Sequence, residues 1–289
     1  MTAAVSIQSS NAPIAQAELS KDEFAQIAAI ATQISGIQLN ESKLGLVRSR
    51  LQKRLRVLGQ TDFREYIAFV KSPEGKAEVD ELICAITTNV TAFNREPHHF
   101  EHFRNTVLPG LVAKMQRGEP VRIWSAGCSN GSEAYTIACS ILGANAKAGE
   151  QNCRILASDI DKYSLEMGSK GIYPPDFLEK MPKDLVSKWF KENNGKFEID
   201  ARARALVSFK FLNLMEPWPV KRKYDAIFCR NTLIYFSAED QSRIFSQFAN
   251  HLIHGAHIYI GHSERVLGPA TSKLIPVGTT TYRFDSGVG

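Results

Sequence analysis

The sequence predicts an α/β protein in which an all-α N-terminal domain precedes a mainly parallel, doubly wound sheet with a small antiparallel excursion. Three observations predict it. Apolar residues recur at helical spacing, with no strand-like run, from Ser20 to about Gly118; short apolar β-type runs then alternate with helical stretches; and an Asn-Gly turn interrupts that alternation. The 289 residues, 44% hydrophobic and 22% charged, are enough for two cores and exclude a disordered or fibrous chain.

Residues 1–19, small and polar, are expected to form a disordered tail; they lack the basic and apolar regions of a secretion signal. Ser20 and Glu23 form a capping box that opens a first helix carrying Phe24, Ile27, Ile30 and Ile34, which Gly36 stops. A second helix over residues 41–58 has one apolar stripe, Leu44, Val47, Leu51, Leu55 and Leu58. A third follows Thr61, and a fourth covers residues 77–87. Residues 20–87 thus form a helical domain, and 88–119 a linker segment and connecting helix.

From residue 120 to 289 the pattern is that of a sheet domain. Strands are expected at 121–126, 154–158, 205–212, 224–229, 257–261 and 279–284, with helices at 134–142, 162–169 and 238–252. Asn193-Asn194-Gly195 is a turn signal inside a small antiparallel β-subdomain at about 185–212.

Lys and Arg number 35 against 30 Asp and Glu, a net charge of +5. Where that excess sits is informative. Residues 1–80 hold ten bases and nine acids, yet Lys43, Arg48, Arg50, Lys53, Arg54 and Arg56 follow one another with no acid between Ser42 and Gln60. Arg50, Lys53, Arg54 and Arg56 are therefore candidate partner-binding residues for something acidic, a merely solvated face being the alternative. Five cysteines, an odd number with no C-x-x-C pair, argue against a disulfide framework or a thiolate zinc site and suit a reducing cytosol. No stretch approaches the ~18 apolar residues of a membrane span, so the chain is read as cytoplasmic and not membrane-inserted.

The strongest local signal is Gly127-Cys-Ser-Asn-Gly131-Ser-Glu133, placed between a strand and a helix. The spacing matches neither G-x-G-x-x-G nor a P-loop, so a cradle for an uncharged or zwitterionic nucleoside is favoured over a phosphate cradle; a plain strand-to-helix turn is the alternative. Glu133 would repel a pyrophosphate and is suited to an ammonium group. Asp159, ending the second strand, is the candidate for gripping a ribose diol, while Asp161 reads as the N-cap of the next helix. Asn213 after the third strand, and Arg230 with Asn231 after the fourth, put further polar groups at strand ends, where ligands of open α/β sheets bind. His98, His99 and His102 do not make a convincing metal set, because adjacent helical residues point about 100° apart and only His98 and His102 share a face; no metal is expected.

These motifs, in order, resemble one family. Thr87-Thr-Asn-Val-Thr-Ala-Phe-Asn-Arg95-Glu-Pro-His-His-Phe100, Trp124 to Tyr135, Ala157 to Asp161, Ile227-Phe-Cys-Arg-Asn231, Ile234-Tyr-Phe236 and Gly261-His-Ser-Glu264 together look like CheR, the chemotaxis receptor methyltransferases. The resemblance implies a Rossmann-like methyltransferase domain, S-adenosylmethionine as methyl donor with S-adenosylhomocysteine as product, and receptor glutamates as acceptors. It puts Asn89, Thr91 and Arg95 over the methionine end of the cofactor, Glu133 near its amino group, Asp159 on the ribose, Asn213 and Leu214 near the adenine, and Arg230 and Asn231 at the fourth strand end. The partners it implies are acidic helical receptor bundles, and in some members a receptor C-terminal peptide at the β-subdomain; nucleic acid is not expected, and a monomer is. A glutamate carboxylate needs no general base, so the candidates for chemistry are alignment residues. Arg95 is placed to orient the cofactor carboxylate or the acceptor, and Tyr235 to line the acceptor channel or simply pack under the sheet. Asn94, Ser132 and Ala134 depart from the family pattern. They motivate one alternative, a cofactor-binding sensory module without turnover; the basic helix motivates another, an RNA methyltransferase.

Overall fold

A computed structural model describes residues 17–179, 181–219 and 221–287. The chain divides into two compact units: Leu39–Ile86 with the chain up to Ala31, and Thr32–Gln38 with the chain from Thr87 onward. Of the expected N-terminal tail, residues 1–16 lie outside the described residues. Leu19, within that expected tail, is already buried.

The first unit is helical. The capping box opens α1 (Lys21–Ser35): Glu23 N–H donates to Ser20 Oγ (3.3 Å) and Ser20 N–H to Glu23 Oε2 (2.9 Å). A 3₁₀ turn leads into α2 (Leu44–Leu58), which Gly59 ends in the left-handed region at φ +68°. Asp62 caps α3 (Phe63–Lys71) by accepting Glu65 N–H at 2.8 Å, and α4 (Lys76–Ile86) follows. Val47, Leu51 and Leu55 of α2 are buried, as are Leu82, Ile83 and Ile86 of α4.

The basic helix has acidic neighbours that are distant in sequence. Arg54 forks onto Glu78 (2.9 and 2.7 Å) and reaches Glu81 at 3.2 Å, while the Tyr66 hydroxyl donates to the same Glu78 carboxylate at 3.1 Å. Arg48 pairs with Glu18 at 2.6 Å, and Arg50 donates to the Ala85 carbonyl at 3.2 Å. Lys53 and Arg56 remain on the exposed side. The lack of acids near helix two in sequence is therefore not a lack of acids in space.

In the second unit, α5 (Pro97–His102) and α6 (Leu108–Gln116) are joined by one π turn, Phe103–Val107, in which Leu108 N–H bonds to the Phe103 carbonyl; Pro109, with no N–H to offer, follows at once. Then come β1 (Val121–Ala126), α7 (Ser132–Ala144), β2 (Cys153–Asp159), α8 (Lys162–Lys170), β3 (Ile172–Tyr173), α9 (Lys183–Trp189), β4 (Phe190–Asn193), β5 (Lys196–Ile199), α10 (Ala201–Leu206), β6 (Val207–Phe211), β7 (Tyr224–Cys229), α11 (Ala238–Asn250), β8 (Leu252–Ile260), β9 (Leu274–Gly278) and β10 (Thr281–Phe284). The main sheet runs β6-β2-β1-β7-β8-β10-β9, parallel from β6 to β8 and antiparallel in the last two strands. β7 is buried along its whole length and β1 nearly so, as strands covered on both faces must be. The chain order reverses between β1 and β7, which opens a crevice at their carboxyl ends.

The small sheet has the order β3-β5-β4. Its hairpin turns at Asn194 (φ +50°) and Gly195 (φ +72°), as the Asn-Gly signal predicts. Several boundaries differ from expectation, and one strand was not expected. β8 begins at Leu252, five residues before the strand expected at 257–261 and where the helix was expected to end, and β10 begins at Thr281, two residues after 279. The small sheet recruits β3 from outside residues 185–212. The strand expected at 205–212 begins two residues late, because Asp200 caps a run of helix formers by accepting Arg202 N–H at 2.8 Å. β9 was hidden by Pro276, which an edge strand tolerates.

Arg54→Met leaves the Glu78 carboxylate buried without its counter-charge. Urea unfolding should show a loss on the order of 3 kcal/mol, against no more than about 0.5 kcal/mol for Lys53→Met.

Candidate functional site

The turn after β1 wraps around the end of β2. Gly127 and Cys128 N–H donate to the Ser158 carbonyl (2.8 and 2.9 Å), and Ser129, itself at φ +49°, donates its N–H to Asp159 Oδ2 at 2.7 Å. The other Asp159 oxygen accepts Asp161 N–H at 2.9 Å. Gly127 (φ +73°) has to be glycine because a Cβ would lie 2.2 Å from Thr232 Oγ1. Asp161 caps α8 through Tyr163 N–H (2.9 Å) and also accepts Asn89 Nδ2 at 2.5 Å, so one carboxylate fixes both the helix and the segment before α5.

Arg230 ends β7 with its side chain only 3% exposed. Its guanidinium meets Glu133 Oε2 at 3.2 Å and Glu96 Oε2 at 3.5 Å, donates to the Arg95 carbonyl, and lies 5.1 Å above the Phe100 ring. Glu133 also accepts the Ser125 hydroxyl at 2.7 Å. Burial raises the pKa of Glu133, with Arg230 and Ser125 pulling the other way. Burial likewise raises that of Asp159, opposed by the backbone N–H groups of Asp161 and Ser129.

These elements line a half-open cleft. Asn89, Thr91, Arg95, Asp159, Asn213, Leu214, Arg230, Asn231 and Tyr235 all line it. Glu133 lies instead on an adjoining recess, which shares Thr91, Arg95, Gly127, Arg230 and Asn231 with the cleft. Since β6, β2, β1 and β7 are neighbours in that order, Asn213, Asp159, Gly127 and Arg230 form a row along the strand ends. Sequence reasoning missed Ser35 and Ile37, which also line the cleft. They continue the α1 pattern, which reads as part of the helical domain; the signal is Gly36, whose φ of +72° turns the chain where a Cβ would meet Met215 Sδ at 2.6 Å. Asn213 Nδ2 donates to the Ile34 carbonyl (2.8 Å) and Gln38 N–H to that of Tyr235 (2.8 Å), stitching this stretch to the cleft.

The histidines arrange themselves differently from the helical-face expectation. His102 Nδ1 meets the Tyr259 hydroxyl at 3.0 Å, and it is Glu96, His98 and His99 whose ligand atoms come within 4.8 Å of one another. The Arg230 guanidinium already supplies Glu96 with positive charge. Although burial works against it, the His262, Arg230 and Asn231 contacts hold the Glu96 carboxyl at about 2. Burial and the same Arg230 push His99 down to about 3.

A row of apolar, carboxylate and ion-paired groups suits a ligand with a flat ring, a diol and a zwitterionic end. The description "CheR methyltransferase, SAM binding domain" matches residues 89–283, and "CheR methyltransferase, all-alpha domain" matches residues 22–87. The chain belongs to the CheR methyltransferase family. It is 45% identical over 260 residues to a probable chemotaxis protein methyltransferase of Rhizobium etli, covering 88% of this chain and 97% of that protein. It is 39% identical to the chemotaxis protein methyltransferase of Borreliella burgdorferi (90% and 94% covered) and 36% to that of Escherichia coli (85% and 85%).

S-adenosylmethionine is the cofactor of the CheR methyltransferases, and the cleft fits it on its own terms. Ser129 Oγ is a buried hydroxyl on the cleft wall without a hydrogen-bond partner among the described residues, beside the buried Asp159 carboxylate. A carboxylate has about four acceptor sites, so Asp159 can serve its backbone donors and a diol together. Calorimetry should find cofactor affinity weakened about 10- to 100-fold by Asp159→Asn, the loss of one or two charge-assisted hydrogen bonds. Unchanged affinity would remove Asp159 from the ribose site.

Proposed function

We propose that this chain transfers the methyl group of S-adenosylmethionine to glutamate side-chain carboxylates of methyl-accepting chemotaxis receptors, leaving glutamate methyl esters and S-adenosylhomocysteine. The observation that carries this reading is the row Asn213, Asp159, Gly127 and Arg230 along one cleft, in a chain whose relatives are chemotaxis protein methyltransferases. S-adenosylmethionine supplies an electrophilic methyl on a sulfonium. A glutamate acceptor, with a reference pKa of about 4.3, is already ionised at neutral pH and calls for alignment and exclusion of water rather than a base.

The cleft wall is consistent with that requirement. Among the described residues its ionisable groups are Arg95, Asp159, Arg230 and Tyr235, with no histidine or lysine. Arg95 donates to the Val90 carbonyl at 2.7 Å, bending the segment that carries Asn89 and Thr91, and keeps its guanidinium on the wall, where it would meet the cofactor carboxylate or the acceptor. Tyr235 would line the acceptor's approach. Asn89 holds the segment down through Asp161 and Ser164, and Glu133 with Arg230 would form the ammonium end.

The three departures from the family pattern sit in satisfied places, which favours turnover over a binding-only module. Ser132 N–H and Oγ both donate to Asn130 Oδ1 (3.1 and 2.7 Å); Asn94, at φ +55°, adopts the left-handed region that asparagine tolerates; and Ala134 is fully buried. Receptor docking would use Lys53 and Arg56, with Arg50 at their side. Arg54, expected to share that role, is engaged with Glu78 and Glu81 inside its own unit. A receptor C-terminal peptide would add to the small sheet at one of its two edge strands, β3 or β4. Among the described residues no helix is long and apolar enough to cross a membrane.

Labelled methyl from the cofactor should enter receptor-containing membranes and leave as methanol in mild base. Label that resists base, or enters RNA, contradicts the proposal. Combined Lys53→Glu and Arg56→Glu should raise the receptor KM at least about tenfold while leaving cofactor affinity within about twofold.

A further inference from the structure

The Gly261-His-Ser-Glu264 motif lies beyond the row of strand ends, yet its acid is buried, with only 6% of the residue exposed. Its carboxylate accepts four backbone N–H groups. Oε2 takes Gly261 (2.6 Å) and Asn231 (3.0 Å); Oε1 takes Leu233 (2.7 Å) and Ile234 (3.2 Å). Three of those donors belong to the turn after β7, which places Asn231, Thr232 and Tyr235 on the cleft wall, whereas Glu264 is not itself on that wall.

Gly261 completes the contact. A Cβ there would lie 2.5 Å from Asn231 Nδ2 and 2.6 Å from Asn231 N, so only glycine allows the two loops to touch. Asn231 is held in the left-handed region at φ +56°, and its side-chain amide donates to Glu96 Oε1 at 3.2 Å. The left-handed turn is one that asparagine tolerates, and a fixed anion gathers its N–H groups much as an anion is held at a nest of amides.

We propose that Glu264 is a positioning residue for methyl transfer: by collecting the amides of Asn231, Leu233 and Ile234 it sets where Asn231 and Tyr235 stand in the cleft, without touching cofactor or acceptor. This rests on the function proposed above for the same cleft. The ribose side, Asp159 with Ser129, is built from other loops, so cofactor binding and turnover should separate when Glu264 is changed. Glutamine retains the shape but replaces one acceptor oxygen with a donor, which faces two N–H groups.

The test measures three quantities on full-length Glu264→Gln: kcat at saturating S-adenosylmethionine with receptor membranes, the Kd of S-adenosylhomocysteine by calorimetry, and amide exchange at residues 231–234 and Gly261. A displaced turn should lower kcat about a hundredfold, leave the Kd within about threefold and accelerate exchange at the amides Glu264 holds, those of the turn and Gly261, without opening the sheet. Gly261→Ala, which pushes Asn231 away without altering Glu264, should give the same split and serves if the first variant does not fold. A kcat within threefold of the parent overturns the proposal. So does a parallel loss of kcat and cofactor affinity with exchange opening across the sheet, which would mark a role in folding. A parent protein that methylates no receptor contradicts the proposed function instead, and the claim about the turn is then decided by whether exchange at 231–234 accelerates.

Discussion

A single buried cation gathers the site. Arg230, at the end of β7, holds Glu133 from the first turn of α7 and both Arg95 and Glu96 from the segment before α5. A guanidinium with five donors in a planar fork can serve three partners on two chain segments at once; a lysine cannot. The arrangement is self-enforcing, because a buried guanidinium left unpaired would be costly, as would the buried Glu133 carboxylate without it. The segment carrying Asn89, Thr91 and Arg95 lies over the strand ends because its carbonyl and its acid are the partners that this charge requires.

The acids around the cleft are distinguished by surroundings rather than by type. Asp159 is fixed by backbone N–H groups and has acceptor sites left for a neutral diol. Glu133 is balanced by a cation, and Glu96 by the same cation together with His262 at 2.8 Å. Glu264 meets only amides. A cleft whose acids are all committed in this way is suited to binding and aligning a zwitterionic cofactor. It has little use for a proton acceptor, in keeping with a substrate that arrives already ionised.

Much of this was legible in the sequence, and the unreadable parts have physical causes. Strand ends and helix caps are local, so Asp159, Asn213, Arg230 and the Asp161 cap could be read from pattern and spacing alone. The segment at residues 89–95 is irregular and carries no periodicity; from composition it looked like a linker, and only the family resemblance pointed to it. Ser35 and Ile37 were missed because a helical stripe conceals where its last turn changes unit. The acidic partners of Arg54 were not legible, since Glu78 and Glu81 are separated from it by a turn and a helix. Glycine spacing suggested room for a ligand at Gly127 and Gly131, but Thr232 and Phe209 occupy the space a Cβ would need, so these glycines serve the packing of the walls.

The most direct test of this account is the affinity of S-adenosylmethionine for Arg230→Lys, measured by calorimetry alongside the melting temperature. The variant keeps the charge and loses the fork. If the buried guanidinium assembles the cleft, affinity should fall at least about tenfold, the equivalent of about 1.4 kcal/mol, in a protein that still melts cooperatively. Affinity within twofold of the parent would contradict it, because the cleft would then stand without the interaction on which the rest is built.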